Sequence, residues 1–172
     1  MNFSPNDTRL VMPSDIYARS YQAAIAEGLS IHPDAPPADF AHFAAHVQWL
    51  NAPNAEVRLP NGRRALRVPQ VEAWLTYAYT FVGRVVIRTR LTPELEAWGG
   101  HIAPEIRPSL RGQGFGSFLF AMALEKARAN GLRRIMLTCR DDNAAAEQMF
   151  LRQGAVEVES PSLEVRRFVI EG

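Results

Sequence analysis

The chain has 172 residues, 47% of them hydrophobic, which predicts a single domain over residues 1–172 with a real buried core. Its 19 basic and 18 acidic residues leave a net charge of +1, which argues against nucleic acid or an anionic membrane as a partner. One cysteine, a polar N-terminus and no apolar run of about 18–20 residues together predict a disulfide-free protein of the cytoplasm with no membrane span.

The first half of the sequence predicts two helices between irregular segments. A short strand is expected at 8–12, then a helix that follows Ser14 and ends at Gly28. A second helix is expected over 37–50, where apolar residues repeat at helical spacing. His42 and His46 are four apart on it, and without a third ligand they are predicted to be surface histidines, not a metal pair. Residues 51–69 are polar and rich in Pro, Asn, Gly and Arg, which predicts a long loop.

The second half alternates strands with helices. The predicted elements are strands at 71–81, 82–91, 101–107, 134–139, 156–159 and 164–170, helices at 114–130 and 143–153, and a loop at 92–100. This order predicts an α+β domain, with a mixed, mostly antiparallel central sheet and helices on both faces. The strand–helix–strand unit from 101 to 139 is expected to be parallel and right-handed.

A glycine-rich loop joins the strand at 101–107 to the helix at 114–130. Its sequence is Arg111-Gly112-Gln113-Gly114-Phe115-Gly116. Glycines let the backbone fold tightly and expose its amides, and the start of a helix favours anions, above all phosphate. A tight turn without a ligand is the alternative interpretation.

Two common phosphate motifs are excluded at this loop. The dinucleotide pattern fails because Ser117 stands where its third glycine is required, and the triphosphate pattern fails because no lysine follows the glycines. A diphosphate held without metal needs amides and one arginine, which Arg111 supplies.

The loop and its surroundings resemble the GNAT acyltransferase superfamily. Arg111-x-x-Gly114-x-Gly116 matches its R/Q-x-x-G-x-G/A signature, and residues 105–111 resemble its central strand with the run into the loop. Downstream, its N-x-x-A-x-x-x-Y/F-x-x-x-G pattern is matched by Asn143, Ala146, Phe150 and Gly154. The strong resemblance covers about residues 82–158.

The resemblance implies acetyl-CoA as co-substrate, with no metal, bound where the central strand splays from the strand at 135–139. The Ile106 strand end would pair with the pantetheine arm, and its N–H would stabilise the carbonyl oxygen during attack. Asn143 would meet the arm from the opposite wall. The pyrophosphate would be held by the amides of Arg111, Gly112, Gln113, Gly114, Phe115, Gly116 and Ser117.

Phe150 departs from the family pattern. The family often carries a tyrosine there, proposed to protonate the leaving thiolate, and phenylalanine cannot do so. Phe150 is therefore expected to pack in the core or to form part of the cofactor wall, with water or another group protonating the thiolate, unless the thiolate leaves unprotonated.

Candidates for the general base lie on the central strand. His101 and Glu105 are four residues apart, hence on one face of a regular strand. A histidine suits proton removal from an ammonium substrate. The alternatives are a structural hydrogen-bonding role for His101 and an ion-paired or solvated role for Glu105. Cys139 is expected to be a buried thiol, since no base lies beside it in sequence.

The sequence thus predicts transfer of an acetyl group from acetyl-CoA to a primary amine of a small molecule or peptide, by direct attack in a ternary complex. A non-catalytic acyl-CoA-binding domain and transfer of a longer acyl group, or to a hydroxyl, remain alternatives. The acceptor is expected to meet the first two helices and the loops at 51–69 and 92–100, where Glu94 and Glu96 would read a cationic substrate or stay solvated. Pairing of two copies through exposed hairpins or the final strand is left open.

Overall fold

The computed structural model describes residues 3–58, 62–160 and 162–172. Within these ranges the chain forms nine strands and five α-helices. The strands are β1 (Arg9–Val11), β2 (Glu56–Arg58), β3 (Arg64–Leu66), β4 (Gln70–Tyr77), β5 (Thr80–Arg88), β6 (Ile102–Ile106), β7 (Arg134–Arg140), β8 (Val156–Val158) and β9 (Val165–Glu171). The helices are α1 (Ala18–Ala26), α2 (Phe43–Asn51), α3 (Pro93–Ala97), α4 (Phe115–Ala129) and α5 (Ala144–Arg152). None of these helices is both long and apolar enough to cross a bilayer.

The strands form two antiparallel sheets and one small hairpin. The first sheet has the order β1-β4-β5-β6, and the second has the order β7-β9-β8. The prediction of a loop over 51–69 was wrong, because β2 and β3 pair there with Glu56 opposite Leu66; residues 59–61 lie outside the described residues. The turn between β4 and β5 lies at 78–79, a few residues before the predicted boundary.

Helices cover both faces of the first sheet, which confirms the predicted fold class. One face packs against α4, where Leu119, Phe120 and Ala123 are fully buried in the larger core. That core continues under the second sheet. The other face packs against α1 and α2, around the fully buried Tyr21 and Trp74.

The two sheets touch where β6 begins and then separate. The N–H of His101 donates to the carbonyl of Met136 at 2.8 Å, and the N–H of Met136 donates to Nδ1 of His101 at 2.9 Å. No ladder joins β6 to β7 in the described residues, which fits the separation of these two strands that the resemblance implied. A gap opens between the two strands on the side of Ile106.

The second helix differs from its prediction. It begins at Phe43, six residues after the predicted start, because Asp39 accepts from the His42 N–H at 3.0 Å and ends the irregular segment before it. The prediction of a surface position was wrong for His46, which is fully buried. Its Nδ1 lies 2.7 Å from the carbonyl of Pro36 and its Nε2 lies 3.3 Å from the Tyr21 hydroxyl.

Candidate active site

The edge of β6 that faces the gap offers backbone groups to a ligand. Hydrogen-bonded residues alternate along an antiparallel pair. The Arg107 N–H donates to the carbonyl of Val82 at 2.9 Å, so Ile106, which lies opposite Gly83, directs its own N–H and carbonyl away from β5. Pro104 shares this orientation but has no N–H. The edge therefore offers the Ile106 N–H without a second donor two residues before it.

The facing edge of β7 is open in the same way. Asp141 donates to the carbonyl of Glu164 at 3.1 Å, and the register of β7 with β9 follows from that bond. The alternation of hydrogen bonds then directs the backbone N–H and carbonyl groups of Met136, Thr138 and Arg140 away from β9 and toward β6. The Met136 N–H donates to His101, whereas the N–H groups of Thr138 and Arg140 donate to no group in the described chain.

The predicted phosphate loop exposes a row of unused amides. Gly114 precedes α4 with a φ of 86°, a left-handed conformation that glycine adopts without strain. The N–H groups of residues 112–117 donate to no group in the described chain. They lie at the helix start, where the dipole is positive, so the local geometry fits an anion such as a pyrophosphate.

Arg111 ties this loop to the strand edge. Its Nε donates to the carbonyl of Ile106 at 3.0 Å, while the rest of its side chain is exposed. The remaining guanidinium donors are available to a bound phosphate. The structure thus brings the Ile106 edge and the loop amides side by side.

A set of hydrogen bonds that the sequence did not predict, here called the clamp, ties the end of α1 to Arg107 and Ser109, just before the glycine-rich loop. Glu27, at the end of α1, accepts from Nε and Nη2 of Arg107 at 2.9 and 2.5 Å, and from the N–H of Ser109 at 3.1 Å. The Arg107 hydrogen bonds, chiefly, lower the pKa of Glu27 to about 2. Because the partners are about 80 residues apart in sequence, no local pattern could reveal this clamp.

Asn143 and Phe150, the two downstream candidates, occupy different environments. Asn143 is exposed and its side-chain oxygen caps α5 by accepting from the Ala146 N–H at 3.1 Å. Its amide nitrogen donates to no described group and is available to a ligand. Phe150 is 2% exposed, with its ring centroid 5.2 Å from that of Phe120 and 5.6 Å from that of Phe168. This supports the packing role and not a place in the cofactor wall.

The geometry of His101 favours the structural alternative over the role of base. Nδ1 accepts the Met136 N–H, so the neutral ring carries its proton on Nε2 and has no lone pair left for a substrate. Burial is the main cause that lowers the pKa of His101, and Arg88 lowers it further. His101 therefore acts as a joint between the two sheets.

Glu105 lies on the face of the first sheet that meets α1 and α2. It accepts from Nε and Nη2 of Arg84 at 3.1 and 2.9 Å, and from the N–H and hydroxyl of Ser30 at 3.0 and 2.8 Å. Three of these four bonds reach Oε2, so Oε1 keeps room for another donor. The buried Glu72 lies 3.8 Å from Arg84 on the same face. The sequence predicted the position of Glu105 but not this network.

The other candidates fall outside the gap. Cys139 is a buried thiol on β7, as predicted, and burial raises its pKa. Glu94 and Glu96 are exposed on α3, a helix inside the segment predicted to be a loop. No group of three or more His, Cys, Asp or Glu in the described parts of the chain is arranged to hold a metal ion.

Comparisons with known proteins assign this chain to a family. Residues 45–155 match the Acetyltransferase (GNAT) family. No curated protein sequence matches the chain significantly. Among solved structures, the mutant forms of the spermidine/spermine N-acetyltransferase SpeG from Vibrio cholerae are similar at 17% identity and a TM-score of 0.61, over 96% of this chain and 94% of that one.

Two further structures show the same fold. The GNAT domain of S. lividans PAT is 17% identical with a TM-score of 0.60, over 96% of this chain and 89% of that one. The structure of yncA from Salmonella typhimurium with its cofactor acetyl-CoA is 14% identical with a TM-score of 0.57, over 96% and 94%. With the family match over most of its length and the splayed strands and free amides described above, the chain belongs to the Acetyltransferase (GNAT) family and is an acetyltransferase enzyme.

Proposed function

We propose that this protein transfers an acetyl group from acetyl-CoA to a primary amine of a small molecule or peptide, by direct attack in a ternary complex. One observation carries the proposal: the unused N–H groups of residues 112–117 lie next to an open strand edge at Ile106. A pyrophosphate fits the first feature and an extended pantetheine arm fits the second.

The chain supplies the groups that would hold this co-substrate. The amides of residues 112–117 and the free donors of Arg111 face the pyrophosphate position. The Ile106 edge lines one side of the gap, and the amide nitrogen of Asn143 serves the other. When bound, acetyl-CoA supplies the activated acetyl thioester.

Stabilisation of developing charge is assigned to the Ile106 N–H. Attack of an amine on a thioester places negative charge on the carbonyl oxygen, and a preorganised backbone donor lowers the barrier. Because Pro104 removes the preceding donor on this edge, Ile106 is the strand residue best placed for the task. Most of the remaining rate would come from holding the two substrates together.

Proton removal is assigned to Glu105, acting through a water at Oε1. His101 has no free lone pair, whereas Oε1 accepts one hydrogen bond, from Ser30. The leaving thiolate receives no proton from Phe150, and the modest pKa of a thiol lets it depart as the anion. We expect Glu105→Gln to lower kcat strongly while leaving acetyl-CoA binding by calorimetry unchanged.

Calorimetric titration with acetyl-CoA and CoA tests the cofactor part of the proposal. Gly114→Val should weaken acetyl-CoA binding at least tenfold, because it adds bulk between the free amides of the loop; a Cβ atom on Gly114 would itself make only an ordinary contact, 3.8 Å from Cγ of Pro5. Gly131→Val is the matched control, since Gly131 follows the end of α4 with a similar φ of 87°, and a Cβ atom placed on it would meet nothing within 4 Å. Equal loss in both variants, or no binding by the wild type, would contradict the assignment.

Thiol release over a panel of amines tests the reaction itself. Turnover with acetyl-CoA and at least one amine is expected, with propionyl- and succinyl-CoA as poorer donors. Binding of acetyl-CoA without turnover of any amine would favour the non-catalytic alternative.

A further inference from the structure

The face of the first sheet under α1 and α2 carries its charges unevenly. Its two acids, Glu72 and Glu105, both pair with Arg84, at 3.8 and 2.9 Å. Arg84 is therefore neutralised within this end of the face. Four residues further along β5, Arg88 projects on the same side of the strand, since side chains alternate with a period of two.

Arg88 has no carboxylate partner in the described chain. Its Nη1 donates to the carbonyl of Gly100 at 3.0 Å and lies 3.5 Å from that of Gly99. Its Nε and Nη2 donate to no described group, and neither belongs to the fully buried atoms that lack a partner, so both remain reachable by solvent. Nε and Nη2 form one edge of a guanidinium, which is the edge that receives a carboxylate through two parallel bonds.

Arg88 has a second cation, Arg67, and one acid, Glu72, in its electrostatic surroundings. Burial, and then Arg67, lower the pKa of Arg88 to about 10. Arg67 is occupied elsewhere: its Nη2 donates to carbonyls at the end of α2, and its guanidinium lies 4.3 Å from the centre of the Trp49 ring. The ring of His32 lies 5.0 Å from that of Trp49, and burial chiefly, with a smaller contribution from Arg88 and other cations, lowers the pKa of His32.

We propose that the free edge of Arg88 binds a carboxylate of the acceptor, so that the acceptor is an amine that also carries a carboxylate, such as an amino acid. This inference rests on the proposed function. The amine would lie toward Glu105 and Ile106, and the carboxylate toward Arg88. Arg84, opposite Glu105, is about 13 Å from Arg88 between Cα atoms at the usual rise of a strand, so the acceptor would need an extended chain between its amine and its carboxylate.

Matched acids and amides test the proposal. Steady-state kcat/KM is measured with acetyl-CoA for L-lysine, 4-aminobutyrate and 6-aminohexanoate, each against its carboxamide. We expect at least a tenfold preference for the acid in the pair of best-fitting length. Arg88→Gln should abolish that preference by raising KM for the acid alone, and Arg88→Lys should restore part of it. The exposed Arg90→Gln is the control and should change nothing.

The outcomes separate this inference from the proposed function. Equal rates for acid and amide would overturn the carboxylate site, and so would an Arg88→Gln variant that slows both equally, which a merely structural bond to Gly100 would cause. If no amine is acetylated, calorimetry of 6-aminohexanoate and its amide against the CoA-loaded protein decides between the outcomes. Binding of the acid but not the amide, lost in Arg88→Gln, would support the carboxylate site. Absence of that preference in the wild type would refute it. Failure of the wild-type protein to bind acetyl-CoA would count against the proposed function instead.

Discussion

Gly100 sits where the two sheets meet, and replacing it with alanine should loosen that joint. Its φ is 63°, and a Cβ atom would lie 2.6 Å from the carbonyl oxygen of Met136 and 3.1 Å from the Cα of Leu137. Both are backbone atoms, which cannot turn aside as a flexible side chain would. The contact should push His101 away from Met136, where the gap between β6 and β7 begins.

The expected cost combines two effects. A left-handed conformation costs a non-glycine residue about 1 kcal/mol or somewhat more. Weakening the two hydrogen bonds between His101 and Met136 adds about 1 kcal/mol each. The sum is about 3 kcal/mol, a large share of the stability of an ordinary domain. In a domain of this size it corresponds to a fall in Tm of roughly 10 °C.

Urea and thermal unfolding measure this loss, and Gly131→Ala isolates the contact. Gly131 has a φ of 87° and a Cβ atom there would meet nothing within 4 Å, so the variant carries the strain without the collision. We expect about 1 kcal/mol for Gly131→Ala and about 3 kcal/mol for Gly100→Ala. Equal losses would refute the claim that close approach at Met136 holds the two sheets together.

Three further predictions concern Glu27, Phe150 and Asn143. The hydrogen bonds that lower the pKa of Glu27 stabilise the fold above about pH 4.5, and this stabilisation is lost as the pH falls toward 2. Wild type and Glu27→Gln should therefore differ in urea midpoint at pH 7 and converge near pH 2. The variant should also bind acetyl-CoA several-fold more weakly. Phe150→Tyr should lower stability by about 1–3 kcal/mol, because it buries a hydroxyl among aromatic rings, and a rise in kcat would contradict the packing role. Asn143→Ala should lose about 1 kcal/mol of helix capping and Asn143→Ser little, whereas both should bind acetyl-CoA more weakly by calorimetry if the amide nitrogen contacts it.

Local chemistry explains why some predictions succeeded. The loop at 111–116 was predictable because glycine spacing and the start of a helix determine where amides are exposed, whatever the rest of the chain does. The hairpin of β2 and β3 was missed because its strands are only three residues long and mostly exposed, so they carry no apolar alternation. His46 was missed because its helical position alone does not say whether Tyr21 and Pro36 will cover it.

By itself, the sequence predicted the side of the proposed site that would hold acetyl-CoA, because that side is made of backbone amides and strand edges within a short stretch of chain. Only the tertiary structure brought together the residues that we propose meet the acceptor. There Glu105 accepts a hydrogen bond from Ser30, 75 residues away in sequence, and the lone pair on Nδ1 of His101 accepts the Met136 N–H. Arg88 keeps a free edge because both nearby acids turn to Arg84. Such pairings depend on which elements pack together, and the position of a charged residue in the sequence does not show which residue it will pair with.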